Sequence, residues 1–404
     1  MKQIKPISLY VHIPFCETKC PYCDFNTYSG IESLIPTYID ALEYEIRLWG
    51  SILPIGQEVK TVFVGGGTPS YLPEDKLISV MEAIRDNFSV DPNVEITMEA
   101  NPGDFDSLKL ESYLSEGINR ISIGVQSFDD DLLKQLGRKH SSIEAQDAYQ
   151  AASEAGFENI SLDLMYGLPF QNIEHWEQTL DVALSLMPSH MSLYCLTLEG
   201  GTPMERQVRL GTIPTPDADL AADMYLRSLE RMSSAGYRNY EISNWCLPGF
   251  ESRHNIAYWE NKSYLGVGPG AHSYLSGFRF NNLNSPRIYI SKIDEHSTNL
   301  SEVKQYETMK NKIKSVPVVD NVEHIDKQMQ MAETLMMGLR LDYGISLEEF
   351  NRSFHGYPSD FYGDTIAELE GLGLLIRSEK SLVLTAKGKR FGNQVFSRFF
   401  DIFE

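Results

Sequence analysis

The sequence is poor in cysteine, in positive charge and in long apolar runs. Five cysteines in 404 residues are too few for a disulfide-rich secreted scaffold. Lys and Arg number 35 against 56 Asp and Glu, a formal charge of −21, and this excess of negative charge disfavours nucleic-acid binding. No segment approaches the roughly 20 uninterrupted apolar residues of a membrane span, and the N-terminus lacks the apolar core of a signal peptide. We therefore expect a cytoplasmic protein.

Three of the five cysteines are crowded into one short stretch, "HIPFCETKCPYCDF". Cys16, Cys20 and Cys23 form a C-x3-C-x2-C pattern. Structural zinc normally takes four ligands, and a thioredoxin-like motif needs only two cysteines. Three thiolates suit a [4Fe–4S] cluster with one iron open to a non-protein ligand, whereas ferredoxins use four. Cys195 and Cys246 lie in apolar or aromatic runs, where we expect buried thiols.

Strand-like and helix-like patterns alternate along the first half of the chain. Apolar strand patterns occupy 7–12, 59–64, 94–99, 120–126, 159–165 and 191–197, and helical patterns start near Leu34, Leu77, His175 and Asp219. Repeated strand–helix units predict parallel strands joined by right-handed crossovers. Periodicity alone leaves two architectures open, a doubly wound open sheet and an incomplete barrel.

The predicted strands alternate between apolar and polar side chains. In the third strand, for example, Ile96 and Met98 alternate with Glu95, Thr97 and Glu99. Helices cover the apolar face of such a strand, so the polar face points into a shared interior. Solvent exposure of the polar face is the alternative. We favour the shared interior, and hence an α/β fold with an incomplete (β/α)6 TIM-like barrel that holds a ligand near its C-terminal strand ends.

The pattern changes after residue 290. Residues 291–324 are charged and helical without a firm apolar stripe, so we interpret them as a connector between a barrel at 1–290 and a smaller domain at 325–404. Helices followed by a hairpin make that domain resemble a winged helix, although its acidic residues outnumber its basic ones and argue against DNA binding. Its last helix aligns Phe391, Val395, Phe399 and Phe403 on one face, either as core or as a peripheral membrane or partner surface.

The cysteine motif after a first strand resembles the radical S-adenosylmethionine (SAM) enzymes, whose open iron binds the amino and carboxylate groups of SAM. "GGGTPS" from Gly65 resembles the loop that meets the methionyl amino group. "EANPGD" from Glu99, "NRISIGVQSFDDDLLKQLGRKH" from Asn119 and "SLDLMYGLP" from Ser161 resemble one subgroup. That subgroup contains the oxygen-independent coproporphyrinogen III dehydrogenases and the related HemW heme chaperones. The resemblance runs from about residue 7 to the C-terminus.

The resemblance implies a role for individual residues. The implied cluster ligands are Cys16, Cys20 and Cys23. The implied SAM contacts are Tyr10 and Tyr22 beside the cluster, Gly66, Gly67 and Thr68 in the glycine loop, Glu99 as a polar contact, Gln126 and Asp163 at the ribose, and Arg138 at the carboxylate. His12 is a candidate fourth cluster ligand and, alternatively, a hydrogen-bonding residue of the barrel interior.

Two departures separate this chain from the dehydrogenase pattern. Phe25 stands where the dehydrogenases have a further cysteine, and Cys16 lies too close to Met1 for their covering N-terminal extension. Both features favour a heme chaperone over a coproporphyrinogen III dehydrogenase, the alternative. "HNIAYW" adds a candidate heme site, His254, Tyr258 and Trp259, because histidine ligates heme iron and aromatic rings stack on porphyrins; these three residues packing a loop is the simpler alternative.

The resemblance also implies cofactors and partners. The expected cofactors are a [4Fe–4S] cluster, SAM and heme. The expected partners are heme-accepting proteins, with the membrane as one location for them, and a low-potential electron donor.

Overall fold

The computed structural model describes residues 5–298 and 308–400. Its larger sheet is built on six strands that lie side by side in chain order, each parallel to the next. The strands are β1 (Ile7–Ile13), β2 (Glu58–Gly66), β3 (Ser89–Ala100), β4 (Arg120–Gln126), β5 (Asn159–Tyr166) and β6 (His190–Cys195). The helices that connect them and follow β6 are α1 (Ile35–Ile52), α2 (Glu74–Asn87), α3 (Ser107–Ser115), α4 (Asp130–Gln135), α5 (Ser142–Ala155), α6 (Ile173–Leu186), α7 (Pro203–Arg209) and α8 (Ala218–Ser234).

Shorter strands extend this sheet on both sides. The further elements are β7 (Arg238–Asn239), β8 (Asn244–Cys246), α9 (Arg253–Trp259), β9 (Tyr264–Val267), β10 (His272–Leu275), β11 (Phe278–Asn282), α10 (Pro286–Thr298), α11 (Met309–Lys314) and β12 (Val319–His324). The strand order is β12-β11-β10-β9-β1-β2-β3-β4-β5-β6-β8-β7. Across the described residues the two end strands do not pair with each other, so the barrel is open. The predicted incomplete (β/α)6 barrel is confirmed.

The apolar and polar side chains of the strands lie on different faces, as the alternation predicted. Leu9 and Val11 of β1 are fully buried in the main apolar core. Thr97, Ser161 and His190 from the polar faces of β3, β5 and β6 are also fully buried. A polar face exposed to solvent would not bury these side chains, so the polar residues line a shared interior.

Local signals fix where the helices of the barrel begin and end. Ser141 and Glu144 form a capping box at the start of α5, each bonding the other's backbone N–H, which satisfies donors that a helix N-terminus leaves free. The helix ends at Gly156, whose φ of +107° is readily adopted only without a side chain. These caps set the lengths of the crossovers that bring β4 and β5 into register.

The C-terminal part of the chain forms a second, smaller unit with its own apolar core. Its elements are α12 (Lys327–Gly338), β13 (Ile345–Ser346), α13 (Leu347–Phe354), α14 (Pro358–Gly371), β14 (Leu375–Arg377), β15 (Ser381–Leu384), α15 (Ala386–Arg390) and α16 (Gly392–Ser397). The strands pair antiparallel in the order β13-β15-β14. Helices followed by the β14–β15 hairpin agree with the predicted winged-helix-like architecture.

The segment interpreted as a connector contributes to the larger unit. Tyr289 and Ile293 of α10 are buried in the main core, and β12 pairs with β11 at the edge of the larger sheet. Short apolar stripes of this kind give a weak periodic signal, which is why the sequence did not indicate them. The exact domain boundaries stay a prediction.

The predicted C-terminal apolar stripe is partly core. Val395 and Phe399 are fully buried, Phe391 is exposed, and Phe403 lies outside the described residues. None of the described helices combines the length and apolar character needed to cross a bilayer.

Candidate functional site

A cavity of about 410 Å³ opens at the C-terminal ends of the barrel strands. Of the residues predicted to bind the cluster or SAM, those that line it are Cys16, Cys20, Tyr22, Cys23, Gly66, Gly67, Thr68, Glu99, Gln126, Arg138 and Asp163. They come from β2, β3, β4, β5 and the loops after β1, β2 and α4. The structure therefore brings together eleven of the twelve residues that the sequence distributes over some 150 positions.

The cysteine loop is held by backbone and lysine hydrogen bonds. The N–H of Cys16 donates to the carbonyl of Tyr28 at 3.0 Å, and the N–H of Cys23 donates to the carbonyl of Cys20 at 3.1 Å. The ammonium group of Lys19 bridges two points of the loop, because it donates to the carbonyls of Phe25 and Thr27 at 2.9 and 3.2 Å. All three cysteines are free and half-buried, so their sulfurs are available to a ligand in the cavity.

Burial favours the protonated thiol form of two of these cysteines. It raises the pKa of Cys16 and of Cys23 above the ordinary value, although hydrogen bonds from neighbouring groups oppose the rise. Among the described residues, no three His, Cys, Asp or Glu side chains are grouped tightly enough for a single metal ion. The three free cysteines line one cavity, and three thiolates suit a [4Fe–4S] cluster with one open iron.

His12 is not free to be a fourth ligand. Its Nδ1 is hydrogen-bonded to the Tyr10 hydroxyl at 2.9 Å, and its Nε2 is hydrogen-bonded to the carbonyl of Asn26 at 3.0 Å. Burial lowers the pKa of its ring. The geometry supports the alternative, a hydrogen-bonding residue that ties the cysteine loop to β1.

The glycine loop approaches the cysteine loop so closely that side chains do not fit. The N–H of Gly67 donates to the carbonyl of Ile13 at 2.7 Å. A Cβ at Gly67 would lie 2.6 Å from the carbonyl oxygen of Phe15 and 3.0 Å from Sγ of Cys16. Thr68, the next residue, donates its hydroxyl to Sγ of Cys16 at 3.5 Å. The loop thus places backbone groups beside the sulfurs, which only glycine permits.

Glu99 lies beside the same loop. Its Oε2 accepts the N–H of Gly66 at 2.9 Å. Burial raises the pKa of Glu99 to about 7, against the effect of that hydrogen bond and with a contribution from the negative charge of Asp163. A carboxyl group with this pKa is poised to gain charge when a cation enters the cavity.

Gln126 on β4 and Asp163 on β5 lie on neighbouring strands of the cavity wall. Ser122 lies 3.0 Å from each oxygen of Asp163 and donates to this carboxylate. Gln126 ends β4 with a φ of +69°, a left-handed conformation that is unusual for a residue with a side chain. Both residues line the cavity, so their polar groups are available to a ligand there.

Arg138 contacts the cysteine loop directly and also through a chain of hydrogen bonds. Its guanidinium donates to Sγ of Cys20 at 3.7 Å and to Oδ1 of Asn101 at 2.5 Å. Asn101 in turn donates to the Thr68 hydroxyl at 3.1 Å, which contacts Cys16. The sequence analysis predicts no role for Asn101 in "EANPGD"; the available signal is an amide two residues after a carboxylate that faces the barrel interior.

Tyr10 is the predicted contact that the structure does not bring to the cavity. Tyr22 lines it, whereas the Tyr10 hydroxyl bonds His12 and its ring packs against Phe63. Burial raises the pKa of both tyrosines, so both remain neutral hydrogen-bonding groups.

The predicted heme residues lie away from this cavity, around α9. His254 is 1% exposed, with Nδ1 bonded to the Thr61 hydroxyl at 2.9 Å and Nε2 to the Tyr258 hydroxyl at 3.0 Å. Burial lowers the pKa of His254 to about 3. Trp259 stacks under the guanidinium of Arg340 from the smaller unit. The arrangement favours the simpler alternative, in which this motif packs against β2 and β3 of the barrel.

Three residues that the sequence did not assign to the cofactor site also line the cavity. Cys195, which we expected to be buried, is exposed and lines the cavity; it ends β6, and the last residue of a barrel strand is not covered by helices. Cys246 is buried as expected. Phe25 and Tyr194 also line the cavity, and they are 64% and 43% exposed.

Comparison with known families agrees with this geometry. The model of the radical SAM superfamily matches residues 10–183, and the model of the HemN C-terminal domain matches residues 325–391. The solved coproporphyrinogen III oxidase (HemN) of Escherichia coli has a similar fold, with a TM-score of 0.82 and 23% identity over 98% of this chain and 90% of that one. Fold and site therefore define a radical SAM protein with a C-terminal domain of the HemN type.

Similarity to curated proteins identifies the family within this class. The heme chaperone HemW of Bacillus subtilis is 37% identical over 394 residues, which is 97% of this chain and 98% of the relative. HemW of Lactococcus lactis is 36% identical over 98% of this chain and 97% of the relative, and HemW of Escherichia coli is 39% identical over 68% and 72%. The chain belongs to the HemW heme chaperone family.

Proposed function

We propose that this protein is a heme chaperone that holds a [4Fe–4S] cluster on Cys16, Cys20 and Cys23 and binds SAM in the adjoining cavity. The observation that carries the proposal is similarity along nearly the whole chain to curated heme chaperones. The cavity supports it independently, because three free thiols and a set of buried polar groups surround one space of about 410 Å³.

Different residues around the cavity suit the methionyl end and the ribose end of SAM. Glu99 and the backbone of the glycine loop suit the methionyl amino group, since a carboxyl group with a pKa of about 7 gains charge beside a cation. Arg138 suits the carboxylate because a guanidinium binds carboxylates in a bidentate manner. Gln126 and Asp163 suit the ribose hydroxyls. When bound, the cluster would supply an electron for reductive cleavage of SAM.

Heme would bind outside this cavity, which is too small for SAM and a porphyrin together. Phe25 and Tyr194 present exposed rings at the rim, and aromatic faces suit a porphyrin plane. The sequence predicts His254 as the axial ligand, but both of its ring nitrogens are bonded, to Thr61 and Tyr258, so we propose heme binding at the aromatic rings and not at His254. The cytoplasm is the proposed location, with heme-accepting proteins at the membrane and a low-potential electron donor as partners.

One sample tests the proposal against the alternative. The protein is reconstituted anaerobically with iron and sulfide, titrated with heme, and assayed with coproporphyrinogen III. Stoichiometric heme binding without decarboxylation supports the chaperone. Protoporphyrinogen formation at enzyme-like rates would instead make the protein a coproporphyrinogen III dehydrogenase.

A further inference from the structure

Asn101 joins two side chains that hydrogen-bond to different cysteines of the C-x3-C-x2-C motif. It is the first residue after β3 and is half-buried. Its amide oxygen accepts a hydrogen bond from Nη2 of Arg138 at 2.5 Å, and its amide nitrogen donates to the hydroxyl of Thr68 at 3.1 Å. Nη1 of Arg138 donates to Sγ of Cys20 at 3.7 Å, and the Thr68 hydroxyl donates to Sγ of Cys16 at 3.5 Å. One amide group therefore bridges the donors of two sulfurs.

The chemistry of the two partners fixes the orientation of the Asn101 amide. A guanidinium has donors and no acceptor, so the amide oxygen must face Arg138 and the NH2 group must face Thr68. The Thr68 hydroxyl has one hydrogen, and the NH2 group is no acceptor for it, so this hydrogen is left for Sγ of Cys16. The opposite orientation would set donor against donor at Arg138 and would let Thr68 donate to the amide oxygen instead of the sulfur.

Further hydrogen bonds hold the backbone of Asn101. Its N–H donates to the hydroxyl of Ser70 at 3.1 Å. Ser70 is fully buried and donates to the carboxylate of Asp104 at 3.0 Å, and Lys109 of α3 donates to the carbonyl of Asp104 at 3.1 Å. These bonds tie Asn101 to the end of the glycine loop and to α3, so its amide is presented from a fixed backbone position.

Arg138 is held from its other side by β4. Nη2, the nitrogen that donates to Asn101, also donates to the carbonyl of Gly124 at 2.6 Å. A Cβ at Gly124 would lie 3.2 Å from the Asn101 amide oxygen and 3.3 Å from Nη2, so the missing side chain leaves room for this pair. With Nη2 engaged twice, Nη1 is the terminal nitrogen that is left to contact Cys20.

Donors at the sulfurs affect how readily a cluster is reduced. Hydrogen bonds to the sulfurs are among the features that set the reduction potential of an iron–sulfur cluster. Reduction adds one electron, and so negative charge, which hydrogen-bond donors stabilise, a cationic donor such as a guanidinium more strongly than a neutral one. The Thr68 hydroxyl and the Arg138 guanidinium should therefore both favour the reduced state.

We propose that Asn101 is a positioning residue that directs the Thr68 hydroxyl and the Arg138 guanidinium at the sulfurs of a bound [4Fe–4S] cluster and thereby raises its reduction potential. The inference rests on the proposed binding of the cluster by the three cysteines of the motif. It adds to that function the group that sets how readily the cluster accepts one electron from an external low-potential donor.

The first experiment is a redox titration of the reconstituted protein, followed by the electron paramagnetic resonance signal of the reduced cluster. Asn101→Ala should make the midpoint more negative by about tenfold in the reduction equilibrium, or roughly 59 mV for one electron. Asn261→Ala is the matched control, because the Asn261 amide also donates to a threonine hydroxyl, that of Thr334 at 3.0 Å, but away from the cysteine loop. Its midpoint should equal that of the wild type. An unchanged midpoint in Asn101→Ala would overturn the inference.

The second experiment compares two Thr68 variants and needs no Asn101 variant that assembles a cluster. Thr68→Val removes the hydroxyl and keeps the shape of the side chain, whereas Thr68→Ser keeps the hydroxyl. The midpoint of Thr68→Val should be the more negative of the two, and that of Thr68→Ser should lie close to the wild type. Equal midpoints in the two variants would show that the hydroxyl does not act on the cluster, and the inference would fail.

Coupling between the two residues distinguishes positioning from a general disturbance of the fold. Asn101→Ala should shift the midpoint less in the Thr68→Val background than in the wild type, because one of the two donors that Asn101 positions is already missing. Equal shifts in both backgrounds would contradict the inference. A wild-type protein that assembles no [4Fe–4S] cluster would instead overturn the proposed function, whereas a cluster whose potential is the same in every variant overturns the inference alone.

Discussion

Oε2 of Glu99 accepts the backbone N–H of Gly66 at 2.9 Å, so the carboxyl group and the glycine loop form one rigid wall of the cavity. A single N–H does not compensate for burial of the charge, and the pKa of Glu99 rises to about 7. The side chain is therefore held in place at a cost in stability whenever it is ionised.

This cost predicts a pH dependence of folding. Between the ordinary pKa of a glutamate and about 7, the folded chain binds more protons than the unfolded chain, so the free energy of unfolding should fall as pH rises through this window. The contribution of Glu99 is on the order of 3 kcal/mol. Denaturant titrations of the cluster-free protein across this window measure the slope, and Glu99→Gln should flatten it. An unchanged slope in Glu99→Gln would show that other groups cause the dependence.

The cluster assignment predicts a sharp division among the cysteines. Replacing Cys16, Cys20 or Cys23 by alanine should abolish the iron–sulfur absorbance after anaerobic reconstitution, because each removes one of three thiolate ligands. Cys195→Ala should retain it. Cys195 is a demanding control, since it is free and lines the same cavity. Equal loss of absorbance in Cys195→Ala would show that the ligand set has been assigned wrongly.

Alternation in the strands was the most informative sequence signal. It predicts that Glu99 points into the barrel interior without any family resemblance, because a period of two separates the faces of a strand. It was silent on Asn101 and Arg138, which lie in loops after β3 and α4. Their positions depend on tertiary contacts, such as the hydrogen bond between them, and no local pattern records those.

The type of a residue and its immediate neighbours predicted its environment less well than its position in a strand did. His254 beside two aromatic residues suggested a heme ligand, but its environment depends on the distant Thr61 of β2. Cys195 lay in an apolar run and is nevertheless exposed. In both cases the side chain's surroundings come from elements remote in sequence, so composition around the residue was a poor guide.

The surroundings of His254 predict mainly a structural effect of its removal. His254→Ala leaves the hydroxyls of Thr61 and Tyr258 without their partner and should lower the free energy of unfolding by about 1–3 kcal/mol. Heme titration of the same variant should give an unshifted Soret band. His254→Gln, which keeps hydrogen-bonding groups, should recover part of the stability. A shifted Soret band in both variants, with unchanged stability, would instead establish His254 as the axial ligand.

Phe25 predicts how this chain differs from a coproporphyrinogen III dehydrogenase. Its ring is 64% exposed at the rim of the cavity, where the dehydrogenase pattern has a cysteine, so it offers an apolar surface and no thiol. Phe25→Cys alone should not create decarboxylase activity, because one thiol does not rebuild a substrate pocket. It should weaken heme binding, since loss of the ring removes apolar contact area worth roughly 1–3 kcal/mol. Phe25→Leu, which keeps most of that area, is the matched control and should lose less affinity. Anaerobic heme titration and a coproporphyrinogen III assay on the wild type and the two variants check both expectations. Unchanged heme affinity in Phe25→Cys would place the heme elsewhere. Decarboxylation by that variant would show that a single side chain separates the two activities.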